Sequence, residues 1–222
     1  MNNNYELEKE LIRQNKKLRI HPFDARNYIH RGMTYFKLGR MVESLRDYNK
    51  AEELNPQLTP YLWQRGLSYY YLGKYAQGAR QFEIDLSVNS QDVEETIWHF
   101  LCIAQLEGIK EAQQCLLPVK YDPRPVMRKI YQVFAGHYSP ENLLLSEKTN
   151  TLRDNLYTHL YLGLFYEAHR GEIPILEVGK TIASNIEKSR FHINEAIKCE
   201  IDDYMWYLAK IHQRLRQTRV ES

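Results

Sequence analysis

Histidines, cysteines and paired carboxylates are the residues from which this 222-residue chain could build a reactive site. His99 and Cys102 lie three residues apart on one helical pattern, which offers two ligands where a zinc site needs three or four. Packing is the better reading of both. His159 sits within a tyrosine-rich helical stretch and reads as a hydrogen-bonded packing residue. Glu94-Glu95 and Asp202-Asp203 are adjacent in sequence, so on a helix the two members of each pair face different ways and form no carboxylate dyad. Glycine-rich phosphate loops are absent, and Gly32, Gly66 and Gly163 read as mid-helix contacts. No nucleophile pairs with a base at a legible spacing. Catalytic, metal-binding and cofactor-binding residues are therefore assigned to none, and the expected cofactor is none.

Charge points the same way. Thirty basic and 28 acidic residues leave a formal net charge of +2, too even for an electrostatic nucleic-acid or membrane binder. Lys16-Lys17-Leu18-Arg19 and Arg214-Leu215-Arg216-Gln217-Thr218-Arg219 read as solvated helix ends. Three widely spaced cysteines, Cys102, Cys115 and Cys199, read as buried thiols in a reducing compartment. No apolar signal core and no run of membrane-spanning length appears, which gives a cytoplasmic expectation.

The elements that would position any site repeat themselves. Arg31-Gly32, Tyr35, Leu38-Gly39-Arg40, Tyr48 and Leu54 are answered 34 residues later by Arg65-Gly66, Tyr69, Leu72-Gly73-Lys74, Phe82 and Val88. The spacing predicts two helical hairpins, at 25–58 and 59–92. Small residues at Gly32 and Ser44 allow close helix approach, Tyr28, Tyr35 and Tyr48 fill the space between, and Gly39 ends the first helix in the left-handed conformation. Pro56 blocks continuation of the second helix. Asp85 and Ser90 depart from the first unit's Ala51 and Pro56.

Around these units the pattern is looser. Residues 1–20 predict an N-terminal helix carrying Leu7, Leu11 and Leu18, and Asp24 an N-cap for the next helix. Residues 93–117 predict a degenerate third pair, with helices at 93–106 and 109–117. The 118–150 stretch holds linking helices, one ended by Gly136 and one opened by Ser139-Pro140. A C-terminal hairpin and capping helix fill 151–218, with arms at 152–169 and 173–185, Gly171 in the turn, and a last helix over about 200–217. No strand pattern appears, so the chain reads as all-α.

The two regular units resemble the tetratricopeptide repeat (TPR) family, whose unit is a 34-residue helix–turn–helix. The matching positions are Tyr28 and Leu62, Gly32 and Gly66, Tyr35 and Tyr69, Ser44 and Gly78, Tyr48 and Phe82, and once Ala51 and Pro56. More loosely, residues 25–212 resemble the NlpI-like small TPR proteins through Trp98-His99-Phe100-Leu101, the 131–136 segment and the 161–168 segment. The family resemblance implies a TPR-type superhelical stack of antiparallel helix pairs with divergent C-terminal helices. It implies a non-enzymatic scaffold or adaptor, and the NlpI-like resemblance adds the expectation of a dimer. An envelope role does not carry over, because the lipid-attachment cysteine of such lipoproteins has no counterpart here.

The resemblance also implies a partner-binding groove lined by the first helix of each pair. Its inward positions correspond to Arg26, Ile29, Met33, Phe36 and Lys37, then Pro60, Trp63, Leu67, Tyr70 and Tyr71, continuing with Glu94, Ile97, Leu101, Ala104 and Gln105. This groove is apolar and aromatic. Ile29, Met33 and Gln64 replace the cations and amides with which TPR co-chaperones hold an acidic chaperone tail, which excludes that function. The expected partner is a protein or peptide segment of apolar or amphipathic character, with no nucleic acid and no membrane. The alternative is a homodimeric structural protein whose groove is covered by its own C-terminal helix.

Overall fold

The computed structural model describes residues 3–146, 151–171 and 178–218. Every regular element among them is helical, and the chain divides into two compact units, 1–90 and 91–222.

In the first unit, α1 (Asn3–Ile20) buries Leu7, Leu11, Gln14 and Leu18, a stripe at helical spacing. The Gln14 amide donates to Thr34 Oγ1 at 3.0 Å, which fixes α1 against α2 (Ala25–Lys37). Asp24 caps α2 by accepting from the Arg26 amide at 3.0 Å. Gly39 ends it at φ 76°, where the Arg40 amide reaches back to the Tyr35 carbonyl at 2.8 Å. Next comes α3 (Met41–Leu54), then a 3-10 turn (Pro56–Tyr61), α4 (Trp63–Tyr71) and α5 (Tyr75–Leu86).

Close approach within each hairpin rests on one glycine. A Cβ on Gly32 would lie 3.1 Å from the Tyr48 ring, and one on Gly66 would lie 2.5 Å from the Phe82 ring. Both rings are completely buried. Burial of each stabilises the unit by about 2–3 kcal/mol. Ser44 adds a polar seam, donating to the Gly32 carbonyl at 2.8 Å and meeting Ser68 of α4 at 3.1 Å.

The second unit runs through α6 (Val93–Leu106), α7 (Ile109–Gln114), α8 (Pro125–Phe134), α9 (Pro140–Ser146), α10 (Leu152–Ala168), α11 (Val178–Ile197) and α12 (Tyr204–Thr218). α10 is its centre and touches α6, α8, α9, α11 and α12. A Thr151–Asp154 capping box starts it, and Phe100, Phe134 and Phe165 form an edge-to-face chain at 5.3 and 5.4 Å beside it. Ser139 Oγ accepts from the Asn142 amide at 3.1 Å, capping α9 as its sequence predicts. α12 buries Met205, Trp206, Leu208, Ala209 and Ile211 and packs on α10 and α11.

Several expectations are corrected. The first helix of the second hairpin begins at Trp63, not Thr59, because Pro56 and Pro60 hold the preceding residues in the 3-10 turn. α7 stops at Gln114, short of 117. The arm expected over 173–185 is described from Val178 and continues to Ile197; residues 172–177 lie outside the described residues. The last helix starts at Tyr204, since Glu200 holds a positive φ of 45° and cannot open a helix. Of the three thiols only Cys102 is buried. Cys115 is exposed because it follows the end of α7, and Cys199 is half-buried beyond the end of α11. Arg219 lies outside the described residues.

Candidate protein-binding face

The inward positions of the first unit separate into two layers. Arg26, Ile29, Met33 and Lys37 follow one face of α2 at helical spacing, with Arg26 exposed and the other three half-buried. Trp63, in the first turn of α4, is half-buried as well. Beneath them Phe36, Leu67, Tyr70 and Tyr71 are buried. Phe36 meets Tyr71 edge to face at 5.9 Å, bridging α2 and α4, and Tyr70 touches both Tyr71 and Tyr75 at 5.4 Å. The rings at these positions thus form a buried floor, and the residues of the set that keep access to water are Arg26, Ile29, Met33, Lys37 and Trp63. At its lip, Arg26 Nε lies 3.3 Å from Asp24 and flanks a cleft lined by Phe23, Leu54 and Leu58.

What holds this face is a polar ladder invisible to hydropathy. Arg31 of α2 donates twice to Asp47 of α3, at 2.7 Å each, and to Asn15 of α1 at 2.8 Å. One repeat later, Arg65 of α4 donates to Gln81 of α5 at 2.6 Å and twice to Glu52 of α3, at 2.7 and 2.8 Å. Each first-helix arginine therefore ties its own second helix to the helix before it. Its hydrogen bonds to Arg65 and Thr59, opposed by partial burial, hold the Glu52 carboxyl below the usual range. Gln81 also donates to Asp85 Oδ1 at 2.6 Å, while Asp85 Oδ2 is buried and accepts no hydrogen bond among the described residues. Burial pushes the Asp85 carboxyl up to about 7.

Among its described residues the second unit carries three polar clusters that are buried or partly buried. Glu94 accepts from the Tyr161 hydroxyl at 3.1 Å and pairs with Arg124, which also grips Asp122 at 2.8 Å. Burial pushes Glu94 up to about 7 against the pull of Arg124. Glu167 meets His212 at 2.7 Å, Arg216 at 2.6 Å and Arg170 at 3.0 Å. Burial alone would raise its carboxyl, yet these three partners hold it at about 2. His159, read from sequence as a hydrogen-bonded packing residue, lies with its Nδ1 2.9 Å from His192 Nδ1, a partner the sequence reading missed.

His99 and Cys102 are both buried on α6, and burial drives the Cys102 thiol far above its ordinary range, away from the thiolate that binds metal. Among the described residues no three histidine, cysteine or acidic side chains gather as a metal site, and no helix is long and apolar enough to cross a membrane.

No curated protein matches the chain. The family model of the tetratricopeptide repeat matches residues 25–58, the α2–α3 hairpin with the turn after it, and supports reading that hairpin as a unit of the tetratricopeptide repeat family.

Proposed function

We propose that the chain is a non-enzymatic TPR adaptor, and that an apolar or amphipathic protein segment docks along the line Arg26, Ile29, Met33, Lys37 and Trp63. A matched repeat is of a kind that generally mediates protein–protein interaction. The observation that carries the finer reading is the half-buried Ile29–Met33 stripe on α2, backed by a rigid aromatic floor. Such a stripe suits a helix or extended segment that presents apolar side chains at regular spacing. Trp63 is the anchor of the site, because a tryptophan desolvated at an interface contributes more than most contacts. The proposal extends to an NlpI-like arrangement over residues 25–212 and to a cytoplasmic setting.

The experiment compares wild type with Trp63→Glu and Tyr70→Glu in affinity capture, each checked by circular dichroism. Trp63→Glu is expected to retain helicity and lose the captured protein. Tyr70→Glu, which buries a charge in the floor, is expected to lose the fold. A folded Trp63→Glu variant that captures the same protein at wild-type level would refute the docking line. Light scattering over a concentration series tests the homodimer reading, which requires a mass of two chains that falls toward one only on dilution.

A further inference from the structure

We propose that the His159–His192 pair is an acid-opened latch between α10 and α11. Two imidazole Nδ1 atoms at 2.9 Å cannot both be bare lone pairs and cannot both carry protons; the contact needs one donor and one acceptor. The pair therefore holds one proton between its facing nitrogens at neutral pH. Uptake of one proton, at the outer nitrogen of the donor ring, leaves one imidazolium and keeps this contact; uptake of a second, at the facing lone pair, removes the acceptor and sets two cations against each other inside a packed interface.

The surroundings make that second proton costly. His192 is buried and stacks on the Tyr166 ring at 5.6 Å with only 10° between planes, so its ring has little room to turn away. The exposed Phe191 ring flanks the pair, 5.2 Å from His192 and 6.5 Å from His159. On α11, Glu195 favours protonation of both rings, whereas Lys198 acts against it at His159 and Lys188 at His192. Lys198 already lies 2.5 Å from Glu195, which blunts that carboxylate's help. From α10 the group facing His192 is the neutral Tyr166 phenol, whose hydroxyl lies 3.5 Å from Glu141 of α9. From α12, Gln213 reaches α11 as a neutral amide bonded to Asn194, and His212 and Arg216 are engaged by Glu167.

Burial lowers the His159 imidazole, and burial with its neighbour's charge lowers His192 to about 4. Both folded values lie below the ordinary 6.5, so the neutral pair is favoured by folding. The stabilisation is complete above about 6.5 and is lost as pH falls toward about 4. Opening is local to the α10–α11 contact, where histidine protonation is a known kind of interface switch.

The test is imidazole and amide NMR on the full chain between pH 7.5 and 4.5, with exchange protection measured at residues 189–196. The expected result is coupled titration of both rings well below 6.5, with protection in that segment falling by at least about tenfold over the same range. The His192→Phe variant, which keeps an aromatic ring against Tyr166, is expected to lose the acid-dependent fall. Independent titration of both rings near 6.5, or unchanged protection in the wild type, overturns the latch whether or not the variant folds. Saturable binding of Zn²⁺ at pH 7.5 that shifts both rings would also overturn it, making the pair a metal site.

Discussion

Arg65 holds both carboxylate oxygens of Glu52, at 2.7 and 2.8 Å, and through that fork the second hairpin is fastened to the helix before it. The guanidinium is almost wholly buried, whereas Glu52 keeps about a third of its side-chain surface in water (38 %). Loss of the carboxylate therefore strands a buried cation with Gln81 as its remaining partner here. Glu52→Ala is expected to lower unfolding free energy by about 2 kcal/mol in a urea titration. Gln81→Ala, which removes Arg65's other partner, should cost more in the Glu52→Ala background than alone.

Gly66→Ala is expected to be the more severe of the two hairpin glycine substitutions. The new methyl would meet three atoms of the buried Phe82 ring at 2.5 to 2.8 Å, against 3.1 Å at Gly32. Overpacking of this kind costs about 1–3 kcal/mol, visible as a lower midpoint in thermal unfolding. Combining Gly66→Ala with Phe82→Leu should recover part of the loss, which would locate the strain in that contact.

Asp85 should leave a signature in stability against pH. Its folded carboxyl is raised to about 7, above the ordinary 3.8, so the folded state favours the protonated form. That contribution is complete below about 4 and is lost as pH rises to about 7. Asp85→Asn is expected to flatten the urea midpoint across pH 4.5–7.5 relative to wild type. An unchanged slope in the variant would mean the carboxyl ionises normally.

Thiol accessibility gives a fourth check. Cys115 is exposed, Cys199 half-buried and Cys102 buried. A maleimide added to native protein should label Cys115 within minutes and Cys199 more slowly. Cys102 should react only in denaturant, because its thiol is both shielded and held far from ionisation. Peptide mass mapping distinguishes the three.

Sequence spacing made the hairpins legible because the constraints there are local. A glycine opposite a ring, a left-handed turn at Gly39 and a cap at Asp24 each act within one or two turns of helix. The longest misreading fell on α11, whose buried stripe is written partly in polar residues: Ser189, His192, Ile193 and Ala196. A polarity pattern cannot mark such a helix when its core face pairs a histidine with another histidine. On the proposed docking face, spacing named the positions but not their depth. Phe36, Leu67, Tyr70 and Tyr71 are inward and buried, since aromatic rings of that size reach one another across helices. The arginine ladder escaped notice because Asp47 and Gln81 differ in type at equivalent positions while accepting the same hydrogen bond.

The gathering of His212, Arg216 and Arg170 on Glu167 sets a rule for anyone shortening this chain. A cut anywhere between Tyr204 and Arg216 takes away Arg216, and His212 as well when made before it, but leaves the carboxylate inside the second unit, so the shortened protein should be worse than one lacking the final helix and the acid together. A trimmed version should end beyond Arg216, or carry Glu167→Gln.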